Sequence, residues 1–377
     1  MSPAFLRSDI IQLTAYSSHP GEDGQETVGT IDHLDTNECP YDLPVSIKDK
    51  LGAAAAQTIA ANRYPDGAYL DLKGAIADYA NESSQLPGQF TAANITVGNG
   101  SDELIRSLLM VTCLGGGGSV LVANPTFSMY AILARTLGIP VIPVDRDKDN
   151  FAINLEAAQQ VIDHPPNLPV RVVFMVHPNS PTGNGLTAQE LAWLKQLPED
   201  ILVVVDEAYF EFSQQTTLEE IAYHSNWLVL RTFSKAFRLA AYRVGYGIAQ
   251  PEVVAALEKV RLPYNLPSIA QTAARLALTH RQDLLAIVPE IQQQRQILLS
   301  SLGDQGSLLT WPSLANFIYT RPQVEQDTMT EHLDSWFRYL KREGTFIRNT
   351  GGGLRITVGS PEENQRTLNR IRAQALH

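Results

Sequence analysis

"ILVVVDEAY", residues 201–209, begins with five apolar residues in a row and ends in two carboxylates and a phenol. A strand covered on one face alternates apolar and polar residues, so an unbroken run reads as a strand buried on both faces. The same pattern recurs outward from it, in "SVLVANP" (119–125), "VRVVFMVHP" (170–178) and "NWLVLRTFS" (226–234). Helix-length amphipathic segments such as "SDELIRSLLMVTCL" (101–114) separate the runs. This alternation predicts an α/β fold, a mainly parallel mixed sheet flanked by helices. After "RLPYNLPS" (261–268) the texture changes to long amphipathic helices and then the strand-like "LANFIYTR" and "GLRITVG". We expect a large α/β domain over 61–270 and a smaller α+β domain over 271–377, joined by an N-terminal segment, 1–60.

Composition limits the function classes. At 377 residues the chain exceeds the size of one typical core, and 44% apolar with 18% charged residues is a globular balance. A net charge of −11 argues against a binder of nucleic-acid backbones, which must neutralise phosphates. No apolar run approaches the ~20 residues of a spanning helix, and "MSPAFLRSDI" lacks the basic start and apolar core of an export signal. The expected location is cytoplasmic, with no membrane partner. Cys39 and Cys113 form no Cys-x-x-Cys pair and no His cluster accompanies them, so neither a disulfide frame nor a metal site is expected.

In open α/β sheets, ligands bind beyond the carboxyl ends of the strands, and each apolar run here ends in chemistry. One delivers Asp206, Glu207 and Tyr209; another His177 and Asn179; a third Arg231, Ser234 and Lys235. All of these are expected in one crevice. "VGNGSDELI" (97–105) adds a glycine turn followed by Ser101, read as a helix N-cap whose free N–H groups suit a phosphate. No Walker lysine and no G-x-G-x-x-G occur, so nucleotide motifs are absent. A lysine amine in apolar surroundings is easily deprotonated and forms Schiff bases with aldehydes. A phosphate cup, a buried aspartate and such a lysine together suit pyridoxal 5′-phosphate (PLP).

The ordered motifs "GNGSDE", "NPTFSMY", "HPNSPTGN", "DEAYFEF", "RTFSKAFRLAAYRVG" and "LRIT" resemble the PLP-dependent aminotransferases of class I/II, fold type I. "TNECPYD", "NRYPDG", "VRLPYNLPSIAQ" and "ANFIYTR" are similar, more narrowly, to the histidinol-phosphate branch of that family. The resemblance implies a Schiff-base and proton-shuttling role for Lys235, with Asp206 on the pyridinium nitrogen. It places Tyr209 and Asn179 on the ring's phenolic oxygen and Phe127 on the ring face. Ser101, Asp102, Thr232, Ser234 and Arg243 would surround the phosphate, joined by Tyr64 from the other subunit of a homodimer with sites at its interface. Arg355 would clamp a substrate carboxylate, and Tyr16, Asn37, Asn265 and Arg348 would complete the substrate site. Arg238 reads as a partly exposed helix charge.

The implied partners are a small amino donor and a 2-oxo acid, and the implied reaction moves an amino group between L-histidinol phosphate and 2-oxoglutarate. The alternatives are transfer from aromatic amino acids and decarboxylation of phosphorylated amino acids. Cys39 and Asp42 depart from the family pattern, where the substrate side chain is expected to be read.

Overall fold

The structure is a computed structural model and describes residues 3, 5–13, 29–304 and 306–375. In chain order, the strands of the described residues are β1 (Asp32–His33), β2 (Ile95–Asn99), β3 (Ser119–Asn124), β4 (Val141–Asp145), β5 (Val170–Val176), β6 (Leu202–Asp206), β7 (Trp227–Thr232), β8 (Val244–Ala249), β9 (Leu308–Thr310), β10 (Phe317–Pro322), β11 (Thr345–Phe346), β12 (Arg348–Thr350) and β13 (Gly353–Thr357). Seven form one sheet in the order β2-β8-β7-β6-β5-β3-β4. β3 to β7 pair in parallel, and β8 runs antiparallel to both neighbours. The expected mixed, mostly parallel sheet is therefore present.

The apolar runs are explained by what lies on each face. Val203, Val205, Val173, Met175 and Val229 enter one core, with Leu72 and Ile76 of the helix Leu70–Ser84 and Ala273 and Ala277 of the helix Ser268–Thr279. Their neighbours Leu202, Val204, Val172, Phe174 and Leu228 enter the other, with Leu104 and Leu108 of the helix Gly100–Thr112 and Tyr130 of the helix Met129–Thr136. Successive strand residues point to opposite faces, so a strand covered on both must be apolar throughout.

A four-stranded antiparallel sheet, β12-β13-β10-β9, and the short parallel pair β1-β11 make the second layer. Its core joins Leu34 beside β1 with Trp336, Leu340, Ile356 and Ile371, and takes in Tyr209 and Phe212 from the loop and short helix (Phe210–Ser213) after β6. That loop is thus gripped by both units. Trp311 Nε1 donates to Asp149 O at 2.6 Å, and Leu314 N to Gly183 O at 2.8 Å, fastening the small sheet to the loops of the large one. Gly183, at φ +79°, allows this approach, since a Cβ there would lie 2.5 Å from Ser313 Oγ. Among the described residues, no helix is long and apolar enough to cross a membrane.

Candidate active site

The carboxyl ends of β5, β6 and β7 lie side by side, with Val176 opposite Asp206 and Asp206 opposite Leu230. A cavity of about 190 Å³ opens beyond them, under Arg355 of β13. Lys235 stands in its wall, half-buried, and its Nζ donates to Thr36 O at 2.8 Å. Burial, reinforced by the positive charges of Arg355 and Arg243, lowers the amine's pKa to about 8, against the opposing pull of Glu38 and Asp102. An amine of that pKa is partly neutral near neutrality, as a nucleophile and proton acceptor must be.

Asp206 is buried, accepts the Tyr130 hydroxyl at 2.7 Å on Oδ2 and the Ala208 N–H at 3.1 Å on Oδ1. Burial raises its pKa to about 6; the two hydrogen bonds resist. Tyr209 packs its ring edge-on against Phe317, with centroids 5.1 Å apart, and its hydroxyl accepts Asn37 Nδ2 at 2.9 Å. Asn37 sits at φ 55°, held by Thr357 Oγ1, which accepts its N–H at 3.0 Å and donates to Oδ1 at 3.2 Å.

At the other end lies a set of anion donors. Thr232 Oγ1 donates to Ser234 Oγ at 3.0 Å, and Arg243 reaches Ser234 Oγ at 3.4 Å and Asp102 Oδ2 at 3.3 Å. Ser101 is in the first turn of the helix Gly100–Thr112. A Cβ on Gly245 would lie 2.5 Å from Ser101 N, so glycine lets β8 run directly under the helix start. The Asp102 carboxylate has no hydrogen to donate to an anion; it accepts from Arg243 and so holds that guanidinium in place. Arg355 also lines the cavity, donating to Ser180 Oγ at 3.2 Å and to Asp35 O, with its guanidinium carbon 5.6 Å from the Phe317 ring centre.

The cavity therefore gathers Lys235, Asp206, Tyr209, Asn37, Ser101, Asp102, Phe127, Thr232, Ser234, Arg243 and Arg355. It also gathers residues the sequence reading passed over: Asp35, Thr36, Val176, Ser180 and Ala208. Several expected residues do not line the cavity, and Ser101 is placed differently in its helix. Asn179 is not on the cavity; its amide is spent on Pro125 O at 3.0 Å and Thr182 Oγ1 at 2.6 Å, and Ser180 faces the cavity in its place. Ser101 is not the N-cap: Asn99 holds that position, without a side-chain cap bond.

Asn265 is also away from the cavity, bonded to Glu103 Oε2 at 2.7 Å and to Tyr69 at 2.7 Å, where it ties the 261–268 segment to the helix start. Glu207, Arg231 and His177 leave the crevice as well. Arg231 and Glu207 form a buried pair at 2.9 Å on the opposite face, as period-two alternation from Asp206 and Thr232 dictates. His177, buried, accepts the Leu186 N–H at 3.0 Å.

Tyr64 is 81% exposed and stacks on Tyr264, 4.6 Å away, outside this chain's cavity. Arg348 does not line the cavity, although its Cα is paired with that of Arg355 across β12 and β13. Cys39 and Asp42 are likewise off it; Cys39 packs against the small-sheet core and Asp42 binds Lys48. Arg238 is not helical: at φ 60° it donates to Asp42 O at 3.1 Å and Leu284 O at 3.0 Å. Tyr16 lies outside the described residues. No metal-holding cluster of His, Cys, Asp and Glu occurs among the described residues.

A lysine, a buried carboxylate and an anion cup around one cavity define a cofactor-dependent group-transfer site on an α/β scaffold. The family model "Aminotransferase class I and II" matches residues 31–371, and the chain belongs to that family. It is 55% identical over 374 residues to the histidinol-phosphate aminotransferase of Trichodesmium erythraeum, covering 98% of each chain. It is 57% identical over 370 residues to histidinol-phosphate aminotransferase 2 of Nostoc sp., covering 97% of this chain and 96% of that one. A solved structure, histidinol-phosphate aminotransferase from Sinorhizobium meliloti in complex with pyridoxal-5′-phosphate, shares the fold at TM-score 0.84 and 23% identity, over 100% of this chain and 98% of that one. The chain is an aminotransferase of a PLP-dependent family.

Proposed function

We propose that this chain binds PLP at Lys235 and transfers an amino group between L-histidinol phosphate and 2-oxoglutarate. The observation that carries the reading is the single cavity in which the Lys235 amine, the buried Asp206 carboxylate and the Ser101–Ser234–Arg243 cup stand together below Arg355. The donor set fits the cofactor: hydroxyls and a guanidinium for its phosphate, a buried carboxylate for its ring nitrogen, the Tyr209 hydroxyl for its phenolic oxygen and Phe127 for the ring face. When bound, PLP supplies an electron sink.

The chain's own groups do the rest. Lys235 would take the proton from the donor's α-carbon and give a proton back as the amino group changes hands, which a pKa of about 8 allows in both directions. Asp206 holds the positive charge that makes the sink effective. Arg355 binds the carboxylate of glutamate, and with Arg348 on the adjacent strand it takes the phosphate of histidinol phosphate, since a guanidinium fork matches either oxyanion.

Tyr64 and Tyr264, whose stacked rings are exposed on this chain, serve the cavity of a second copy in a homodimer. The test is kcat/KM for histidinol phosphate and for phenylalanine in wild type, Arg355→Ala and Arg348→Ala. Arg355→Ala lowers both by ~10- to 100-fold, the cost of a charge-assisted hydrogen bond. Arg348→Ala lowers histidinol phosphate selectively. A wild type that prefers phenylalanine makes this an aromatic aminotransferase instead.

A further inference from the structure

Tyr130 is fully buried on the helix Met129–Thr136, and its hydroxyl has a partner that the site alone does not explain. Its ring stacks on Phe174 with centroids 4.4 Å apart and planes 9° from parallel, and meets Phe127 edge-on at 5.4 Å. From that position its O–H reaches Asp206 Oδ2 at 2.7 Å, while the Ala208 N–H takes Oδ1. One side chain thus touches both the carboxylate and the aromatic ring that are assigned to the cofactor's pyridine. We propose that Tyr130 is a positioning residue, which keeps Asp206 ionised and aimed at the ring nitrogen of PLP. This rests on the PLP reading above.

A carboxylate removed from water is driven towards its neutral form unless donors hold the charge. Asp102 on the helix Gly100–Thr112 and Glu207, next in the chain, add negative charge near Asp206 and press the same way. Tyr209 adds only a neutral phenol, and Lys235 and Arg243 stand across the cavity. Burial is the largest influence on Asp206, whose pKa is about 6, and the Tyr130 hydroxyl is the strongest that opposes it. Without that hydroxyl the value moves up by about one to two pH units. The carboxyl is then largely neutral at pH 7 and cannot balance a protonated ring nitrogen.

The experiment compares Tyr130→Phe, which keeps the ring and its stack, with Phe174→Leu, which loosens the stack and keeps the hydroxyl. The first measurement is thermal stability of the cofactor-free protein from pH 4 to 9. A folded-state pKa raised above the unfolded value gives stability that is present at low pH and lost as pH rises through the folded value. In wild type this loss is complete just above pH 6. In Tyr130→Phe it is displaced upward by about one to two pH units, and in Asp206→Asn it disappears.

The second measurement is the dissociation constant of PLP from the cofactor-free protein. Tyr130→Phe weakens it by ~10- to 100-fold at pH 7 and less at pH 9, where Asp206 is again ionised. In the Asp206→Asn background the same change has no further effect. Phe174→Leu lowers stability without displacing either pH profile. Tyr130→Phe with wild-type profile and affinity overturns the proposal, and so does Phe174→Leu with the same displacement. A wild type that takes up no PLP at either pH overturns the functional reading, and this proposal with it.

Discussion

Lys235 shows how much one residue depends on its surroundings. An ordinary lysine has a pKa near ~10.4 and is almost wholly protonated at neutral pH. Burial beside Arg355 and Arg243 brings this one to about 8. Between those values the unfolded chain holds a proton that the folded one has released, so this residue makes stability rise with pH over that range. The chemical consequence is sharper. We expect the rate at which the cofactor-free protein captures PLP, followed by absorbance in a stopped-flow instrument, to rise with pH about a midpoint near 8. Lys235→Ala should abolish the absorbance of lysine-bound cofactor while leaving the fold intact. A midpoint at or above that of free lysine would show that the cavity does not activate the amine.

The ends of β6 and β7 are the elements that hold Asp206 and Lys235 at their separation. Behind the cavity, Glu207 and Arg231 lock those ends together through contacts at 3.0 and 2.9 Å, and both side chains are buried. Thr216 and Thr217 also donate to the Glu207 carboxylate, and Arg231 lies 3.6 Å from the centre of the Phe210 ring. Each nitrogen of the Arg231 guanidinium and each oxygen of the Glu207 carboxylate has a hydrogen-bond partner. Removing one partner strands the other in a dry site, which costs about 3–5 kcal/mol. Glu207→Ala should lose about that much in urea denaturation, and Glu207→Met with Arg231→Met together much less, because no charge is left without its partner. A double-variant loss equal to the sum of the losses of Glu207→Met and Arg231→Met measured singly would show that the pair is not coupled.

At the scale of the whole molecule, the question is what completes the cavity. Tyr64, Tyr264 and Leu262 are exposed on the described surface. A second copy that brought Tyr64 to the cup would bury them. Complementation tests this. Tyr64→Ala and Lys235→Ala chains, each impaired alone, are unfolded together and refolded. Random pairing makes half the dimers mixed, each with one intact site, so about a quarter of wild-type activity returns if the tyrosine serves the opposite subunit. No recovery above the two parents means that Tyr64 does not act across an interface.

The sheet and most of the cavity were legible because their causes are local. Continuous apolar runs require two covered faces, and a parallel sheet delivers its polar strand ends to one edge, which is why Asp206, Ser234 and Lys235 could be placed together from their order alone. The same parity, applied one residue further, assigns Glu207 and Arg231 to the far side; that step needs the exact ends of β6 and β7. What sequence could not decide was which neighbour in a tight loop faces inward. Between Asn179 and Ser180 the answer lies in contacts with Pro125, Thr126 and Thr182. Those contacts form only after separate segments have packed. Tyr130 reaching Asp206 across 76 positions is of the same kind. The sequence determined what chemistry was available and at which edge of the sheet; tertiary packing decided which atoms meet, because a hydrogen bond depends on tenths of an ångström that no local pattern encodes.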